Sequence, residues 1–150
     1  MKKALDAEAD GVALAAQQIN LPIRIFIVSG KVLGKAIYRR SDGKIQNLPE
    51  KAESHMVCVN PRLIKISKEK KVMEEGCLSV RYAYGKIKRP TKVTMEAYDE
   101  NGKKFTRGAS GLLAQIFQHE IDHLNGILFT DNAQEIKELT REEWVSSTKE

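Results

Sequence analysis

Residues 111–126, GLLAQIFQHEIDHLNG, carry the clearest helical pattern in the chain. The apolar residues recur three and four positions apart, so a helix would carry them on one face: Leu112, Leu113, Ile116, Phe117, Ile121 and Leu124. Ser110 is a suitable N-cap residue, and Gly126 is a suitable residue just past the helix end. The stretch therefore predicts a central, buried helix over residues 111–125.

Most of the segments before this helix have the features of strands. Short apolar runs and period-two alternation predict strands at residues 23–28, 56–59, 63–67, 92–98 and 104–107. A turn at residues 100–102 would join the last two strands into a hairpin.

Helix and loop patterns fill the rest. Residues 4–18 are predicted to be the end of a helix that breaks near Gly11, and residues 30–54 a long polar loop or hairpin tip. Thr140 and Glu143 form a capping-box pattern, which predicts an exposed C-terminal helix within residues 133–147. Several strands followed by helices predict an α+β fold, with antiparallel or mixed sheets packed around the central helix.

Composition narrows the class of protein. The 150 residues predict one domain, and 41% apolar with 30% charged residues is typical of a soluble globular protein. No apolar run, residues 25–28 included, is long enough to span a membrane, and Asp6, Glu8 and Asp10 argue against a signal peptide. Two cysteines do not make a disulfide framework, so a reducing cytoplasm is expected.

The net charge of +5 permits weak attraction to a polyanion such as ribosomal RNA. Basic residues are not interleaved with aromatic residues, so DNA is not an expected partner.

A histidine pair in the central helix indicates a metal site. Two of the three histidines, His119 and His123, lie four positions apart and would therefore share one helix face. Glu120 lies between them in sequence but points away from the helix face that carries the two histidines. This position suits a base that takes a proton from a metal-bound water. The spacing predicts a metalloenzyme without saying which one.

A catalytic site needs a third protein ligand, and the sequence offers several. His55 is one candidate, and the downstream acids Asp131 and Glu135 are others, as in metallopeptidases with an acidic ligand. Cys77 is the remaining candidate, because it follows a glycine and lies among polar residues. Cys58, inside a strand pattern, is interpreted as a small core hydrophobe.

Three motifs resemble the signatures of peptide deformylases and occur in that family's order. They are GVALAAQQ at residues 11–18, EGCLS at 75–79 and QHEIDH at 118–123. The first departs from the family pattern G-x-G-L-A-A-x-Q because Ala13 replaces the second glycine. Arg81 stands where many relatives carry proline. The likeness runs from about residue 10 to 132, so the domain is expected to be short at its N-terminus.

The resemblance implies a set of roles. Cys77, His119 and His123 would hold one divalent ion, with Fe2+ first and Zn2+, Ni2+ or Co2+ as alternatives. Glu120 would be the general base and then the acid toward the leaving amine. The Gln18 side-chain amide and the Leu78 backbone N–H would bind the oxyanion. The substrate would be the formylated methionine of a nascent polypeptide, and the products formate and a free amine.

Further expectations concern the surroundings of that site. The substrate would be bordered by Val12, Ala13, Glu75, Leu112 and Ile116. Asp122 is expected to pair with Arg89 or to support a ligand. The resemblance also implies a monomer from a bacterium, a virus of bacteria or an organelle.

Two alternative functions stay open at this point. One is an H-E-x-x-H metallopeptidase with a downstream acid as its third ligand; retention of metal by a Cys77→Ala variant would favour it. The other is a catalytically impaired relative that binds nascent chains or the ribosome.

Overall fold

The computed structural model describes residues 1–8, 11–37 and 54–147. In these residues the chain forms eight strands: β1 Ala13–Ala15, β2 Ile25–Val28, β3 Met56–Ile66, β4 Lys70–Cys77, β5 Val80–Pro90, β6 Lys92–Tyr98, β7 Lys104–Ser110 and β8 Gln134–Glu138. The described helices are α1 Lys2–Asp6, α2 Gly30–Ile37, α3 Gly111–Leu124, α4 Phe129–Asn132 and α5 Arg141–Ser147, and a 3-10 turn covers Ala16–Ile19. None of these helices has both the length and the apolar character needed to cross a bilayer.

The larger sheet forms the main core together with α3. Its strands follow the order β1-β2-β3-β6-β7, and each pairing is antiparallel. Phe26 of β2 and Phe117 of α3 are fully buried, with their ring centroids 6.1 Å apart. Burying one such side chain stabilises the fold by about 1.5–3 kcal/mol. Cys58 lies in the same core, as predicted, and burial raises the pKa of its thiol to about 12.

The smaller sheet, of order β4-β5-β8, carries the EGCLS motif at the tip of a hairpin. The antiparallel register runs from Lys70 opposite Pro90 to Cys77 opposite Val80, so Leu78 and Ser79 form the two-residue turn. Strand β8 pairs antiparallel with β5 on its other side. The sheet therefore presents Cys77 at a turn whose position is set by eight residue pairs.

The α+β prediction is confirmed, with antiparallel pairing throughout the described strands. The central helix ends at Leu124, one residue before its predicted end, and Gly126 has a positive φ of 74° as expected of a C′ glycine. Ser110 precedes the helix in extended backbone, but its side chain makes no capping hydrogen bond.

The prediction of two separate strands at residues 56–59 and 63–67 is wrong, because β3 runs unbroken from Met56 to Ile66. The pairing with β6 shifts register between Val59 and Arg62, and Asn60 takes a positive φ of 48°. A bulge leaves a residue outside the ladder, so Pro61 needs no backbone N–H there.

The predicted helices at both ends of the chain need correction. Residues Ala13–Ala15 form a buried strand instead of a helix end. Residues Gln134–Glu138 form β8, and the C-terminal helix begins only at Arg141. The capping box itself is confirmed: the Thr140 N–H donates to Glu143 Oε2 at 2.7 Å, and the Glu143 N–H donates to Thr140 Oγ1 at 3.2 Å.

The segment predicted as a long loop begins with a helix, since Gly30–Ile37 forms α2. The remainder of that prediction, at residues 38–53, lies outside the described residues.

Candidate metal centre and active-site cleft

Three donor side chains converge where the hairpin tip meets α3. Cys77 Sγ lies 3.1 Å from His123 Nε2, and His123 Nε2 lies 3.1 Å from His119 Nε2. One ligand atom from each of the three residues falls within 4.8 Å of the others. The structure thus brings the predicted sulfur and two imidazole nitrogens into one cluster.

This donor set fits a divalent transition-metal ion. Thiolate and imidazole are ligands that iron and zinc accept, and three protein ligands are the number used by catalytic sites. The other candidates for third ligand are occupied elsewhere. His55 contacts Asp6 and the Gly30 N–H, Asp131 accepts from the Leu128 N–H, and Glu135 pairs with Lys86.

Electrostatics around the cluster favour the thiolate. Burial raises the pKa of Cys77, but hydrogen bonds with His119 and His123 outweigh burial and lower that pKa to about 5. Burial likewise lowers the pKa of His119, whereas hydrogen bonds with Cys77 and Glu75 raise it to about 10. The cluster therefore holds a cysteine that loses its proton well below neutral pH.

A buried ion network supports His119 from behind. Glu75 Oε2 lies 3.0 Å from His119 Nδ1, and Arg89 donates to both carboxylate oxygens of Glu75 at 2.8 and 3.0 Å. Arg89 also donates to Asp122 at 2.6 Å, which confirms the predicted Arg89–Asp122 pair. Burial opposes ionisation of Glu75, but hydrogen bonds from His119 and Arg89 lower its pKa to about 2.

Glu120 lies beside the ligands with one oxygen unsatisfied. The residue is 4% exposed, and within the described part of the chain its Oε2 atom is buried without a hydrogen-bond partner. Burial raises the pKa of Glu120 to about 7, although the nearby His119 and His123 oppose the rise. A buried, unpartnered carboxylate oxygen next to metal donors is the arrangement expected of a group that exchanges a proton with a small molecule.

Gln18 reaches the cluster from the 3-10 turn with a fixed orientation. Its Oε1 atom accepts the Ala15 N–H at 2.8 Å, so its Nε2 atom points the other way. Nε2 donates to Ser79 Oγ at 3.0 Å and to Cys77 Sγ at 3.6 Å. The side chain therefore presents N–H groups beside the sulfur.

These residues line a cleft with a volume of about 270 Å³. Apart from His123, which is buried behind it, every predicted site residue lines this cleft: Val12, Ala13, Gln18, Glu75, Cys77, Leu78, Leu112, Ile116, His119 and Glu120. Leu112 is 53% exposed although it belongs to the apolar stripe of α3, because that end of the helix borders the cleft.

Comparison with known proteins identifies the family. The family model described as polypeptide deformylase matches residues 1–139. The chain belongs to the polypeptide deformylase family. It is 38% identical over 131 residues to the peptide deformylase of Psychrobacter cryohalolentis, covering 87% of this chain and 61% of that relative. It is 42% identical over 132 residues to that of Chloroflexus aurantiacus, covering 87% and 68%.

Solved deformylase structures share the fold. A probable peptide deformylase from Synechococcus phage S-SSM7 superposes with a TM-score of 0.72 at 33% identity, covering 88% of this chain and 78% of that one. The peptide deformylase from Synechococcus elongatus, solved with actinonin, gives 0.65 at 30% identity, covering 94% and 63%. The chain spans about three fifths of the length of the Psychrobacter cryohalolentis relative.

Several lining residues of this deformylase-family cleft were missed by the sequence analysis. They are Tyr82 and Tyr84 of β5, Gln115 of α3 and Trp144 of α5. The two tyrosines alternate just after EGCLS, a period-two pattern that indicates a shared strand face. Trp144 carried no local signal, because its position depends on how α5 packs against β5.

Both departures from the family pattern also lie at the cleft. Ala13 is buried in β1 and lines the wall. Arg81 forms an ion pair with Glu8 at 3.1 Å, and both residues line the cleft.

Proposed function

We propose that this protein is a metal-dependent hydrolase that removes the formyl group from the N-terminal formylmethionine of newly made polypeptides and releases formate. The convergence of Cys77, His119 and His123 beside the unpartnered Glu120 oxygen carries the proposal. Membership of the polypeptide deformylase family supports it.

Cys77, His119 and His123 would hold one divalent ion, with Fe2+ proposed first and Zn2+, Ni2+ or Co2+ as substitutes. When bound, such an ion polarises a carbonyl and lowers the pKa of water. The softness of the thiolate suits iron and zinc, and it also exposes the site to oxidation.

Glu120 is proposed as the base and then the acid. Its carboxylate takes a proton from the attacking water as the oxygen bonds to the formyl carbon. The same carboxyl then gives a proton to the leaving nitrogen as the C–N bond breaks, so formate and a free α-amine result. The burial of Glu120 keeps bulk water away from this transfer.

Gln18 and Leu78 are proposed to stabilise the developing oxyanion. The Gln18 Nε2 group is oriented by the bond between its Oε1 atom and the Ala15 N–H, so little rearrangement is needed during the reaction. The Leu78 backbone N–H, in the hairpin turn, is proposed as the second donor.

The apolar wall of α3 is proposed to receive the methionine side chain. Ile116 and Leu112 line the cleft one and two turns before His119. Val12, Ala13 and Glu75, which also line the cleft, are proposed to border the substrate.

Formate release tests the proposal. Protein loaded anaerobically with Fe2+ is expected to release formate from formyl-Met-Ala-Ser. The Glu120→Gln variant is expected to retain the metal and lose turnover. Full metal occupancy without formate release would contradict the proposal and favour an impaired relative that binds nascent chains or the ribosome.

A cytoplasmic location, a monomeric state and weak ribosome association complete the proposed setting. The net charge of +5 supports attraction to ribosomal RNA. Salt-sensitive co-sedimentation with ribosomes tests the association.

A further inference from the structure

One wall of the cleft is an aromatic cluster formed by Tyr82, Tyr84 and Trp144. The Trp144 indole Nε1–H donates to Tyr84 Oη at 2.7 Å. The rings of Trp144 and Tyr82 meet edge to face, with centroids 5.7 Å apart and an interplanar angle of 72°. Contact with two side chains of β5 therefore orients the indole in the same cleft as the metal ligands.

The backbone fixes the position of both tyrosines. A Cβ atom placed on Gly76 would lie 2.7 Å from the Tyr84 ring, so that ring packs directly on the hairpin backbone beside Cys77. Tyr82 has a φ of 64°, a left-handed conformation that is uncommon for a bulky residue. Tyr82 lies where the β4–β5 register shifts, between the Gly76–Tyr84 and Cys77–Val80 pairs, and its ring contacts Trp144 from there.

The C-terminal segment is attached so that it delivers Trp144 to this wall. The Leu139 N–H donates to the Tyr82 carbonyl oxygen at 2.7 Å, next to the pairing of β8 with β5. The capping box of Thr140 and Glu143 then starts α5 immediately before Trp144. One hydrogen bond to β5 and the capping box that starts α5 thus set, within six residues, the direction in which the indole enters the cleft.

The chemistry of the wall is mainly apolar. The indole N–H already has an acceptor in Tyr84, so what Trp144 presents to a ligand in the cleft is apolar ring surface. Aromatic faces favour apolar and aromatic side chains through packing and offset ring contacts. A formylated N-terminus at Cys77 and His119 would leave the following residues of a peptide to run along the remainder of the cleft.

We propose that Trp144, held by Tyr82 and Tyr84, determines specificity for the residues that follow the N-terminal methionine and favours large apolar or aromatic side chains there. This inference rests on the proposed function. Trp144 acts on binding of the peptide and not on the reacting atoms.

Kinetics with three formylated tripeptides test the inference on the metal-loaded protein. The KM for formyl-Met-Phe-Ser or formyl-Met-Ser-Phe is expected to be lower than for formyl-Met-Ser-Ser by roughly 2- to 12-fold, the range of one aromatic contact. Trp144→Ala should raise the KM for the two aromatic peptides to that for formyl-Met-Ser-Ser and so abolish this ratio, whereas Trp144→Phe should keep most of it. Ser146→Ala, an exposed change on the same helix, should preserve the ratio.

Fluorescence gives a readout that does not depend on turnover. Trp144 is the single tryptophan of the chain, and Zn2+, a d¹⁰ ion without redox chemistry, suits an emission measurement. Titrating the Zn2+-loaded protein with the product Met-Phe-Ser should shift the emission saturably, and Met-Ser-Ser should need a higher concentration. Because this measurement uses the parent protein, it tests the role of Trp144 even if the Trp144→Ala variant fails to fold.

The outcomes separate the two proposals. Formate release with an unchanged KM ratio in Trp144→Ala, or saturable peptide binding without an emission shift, would overturn the role of Trp144 and leave the proposed function standing. Absence of formate release from all three peptides at full metal occupancy would overturn the proposed function, and the role of Trp144 with it.

Discussion

The Nδ1 atom of His119 lies 3.0 Å from Oε2 of Glu75, a residue that is itself 5% exposed. Because an ionised carboxylate only accepts hydrogen bonds, Nδ1 must carry the hydrogen. The lone pair of the neutral imidazole is then on Nε2, the atom nearest to His123. Glu75 therefore selects the His119 tautomer that can bind a metal ion.

Replacing Glu75 by Gln is expected to weaken metal binding by about 10- to 100-fold, the usual effect of losing such a supporting group. Competition between the protein and a zinc chelator measures the change. The variant is also expected to lower the free energy of unfolding by about 1.5–3 kcal/mol, because it removes one charged partner of the buried Arg89, which keeps Asp122.

Glu74→Gln is the matched control for this prediction. Glu74 precedes Glu75 on β4 but is exposed, so both metal affinity and stability should stay near those of the parent protein. Equal effects of the two variants would show that charge alone, and not the contact with His119, governs metal affinity.

The helix and its ligands could be predicted from the sequence because their signals are local. The apolar period of α3 and the spacing of His119 and His123 are both contained in fourteen residues. The Cys77 ligand needed the family resemblance, since its partners lie more than forty positions away.

The small sheet was missed because its two outer strands, β4 and β8, bury little. Five of the eight residues of β4 and all five of β8 are exposed, so neither strand shows an apolar alternation. The polar sequence of β8, QEIKE, suits an exposed helix as well as an edge strand. Only pairing with β5 makes it a strand, and that pairing also carries Trp144 to the cleft.

Thiol labelling is expected to distinguish the two cysteines. In metal-free protein, Cys77 should react with a thiol reagent near neutral pH, because its pKa is lowered and it is only partly buried. Cys58 should not react, because it is fully buried and its pKa is raised to about 12.

Metal loading should then protect the single reactive thiol, and unfolding should expose both. Counting labelled cysteines by mass spectrometry in the three states checks the prediction. Labelling of Cys77 at the same rate with and without bound metal would contradict its role as a ligand.

Gln18→Ala is expected to lower kcat for formate release by about 10²- to 10³-fold, the typical effect of losing one oxyanion donor. Metal affinity should change little, because Gln18 donates to Cys77 Sγ only over 3.6 Å. Steady-state kinetics and chelator competition measure the two quantities. Gln17→Ala, an exposed neighbour outside the cleft lining, is the control and should leave both near the parent values.

Gly76 is expected to be required because Tyr84 packs on it. In Gly76→Ala the new Cβ would lie 2.7 Å from the Tyr84 ring, closer than carbon atoms approach in folded proteins. The ring must move away from the hairpin, and overpacking of this kind typically costs about 1–3 kcal/mol. Urea unfolding of the variant measures the loss.

A double-mutant cycle separates this clash from any other effect of the substitution. Tyr84→Ala alone loses the hydrogen bond from Trp144 and the packing of its own ring. If the ring causes the clash, Gly76→Ala should cost much less in the Tyr84→Ala background, which gives a coupling free energy of about 1–3 kcal/mol. Additive losses in the double variant would instead mean that Gly76 is needed for the hairpin backbone itself and not for the approach of Tyr84.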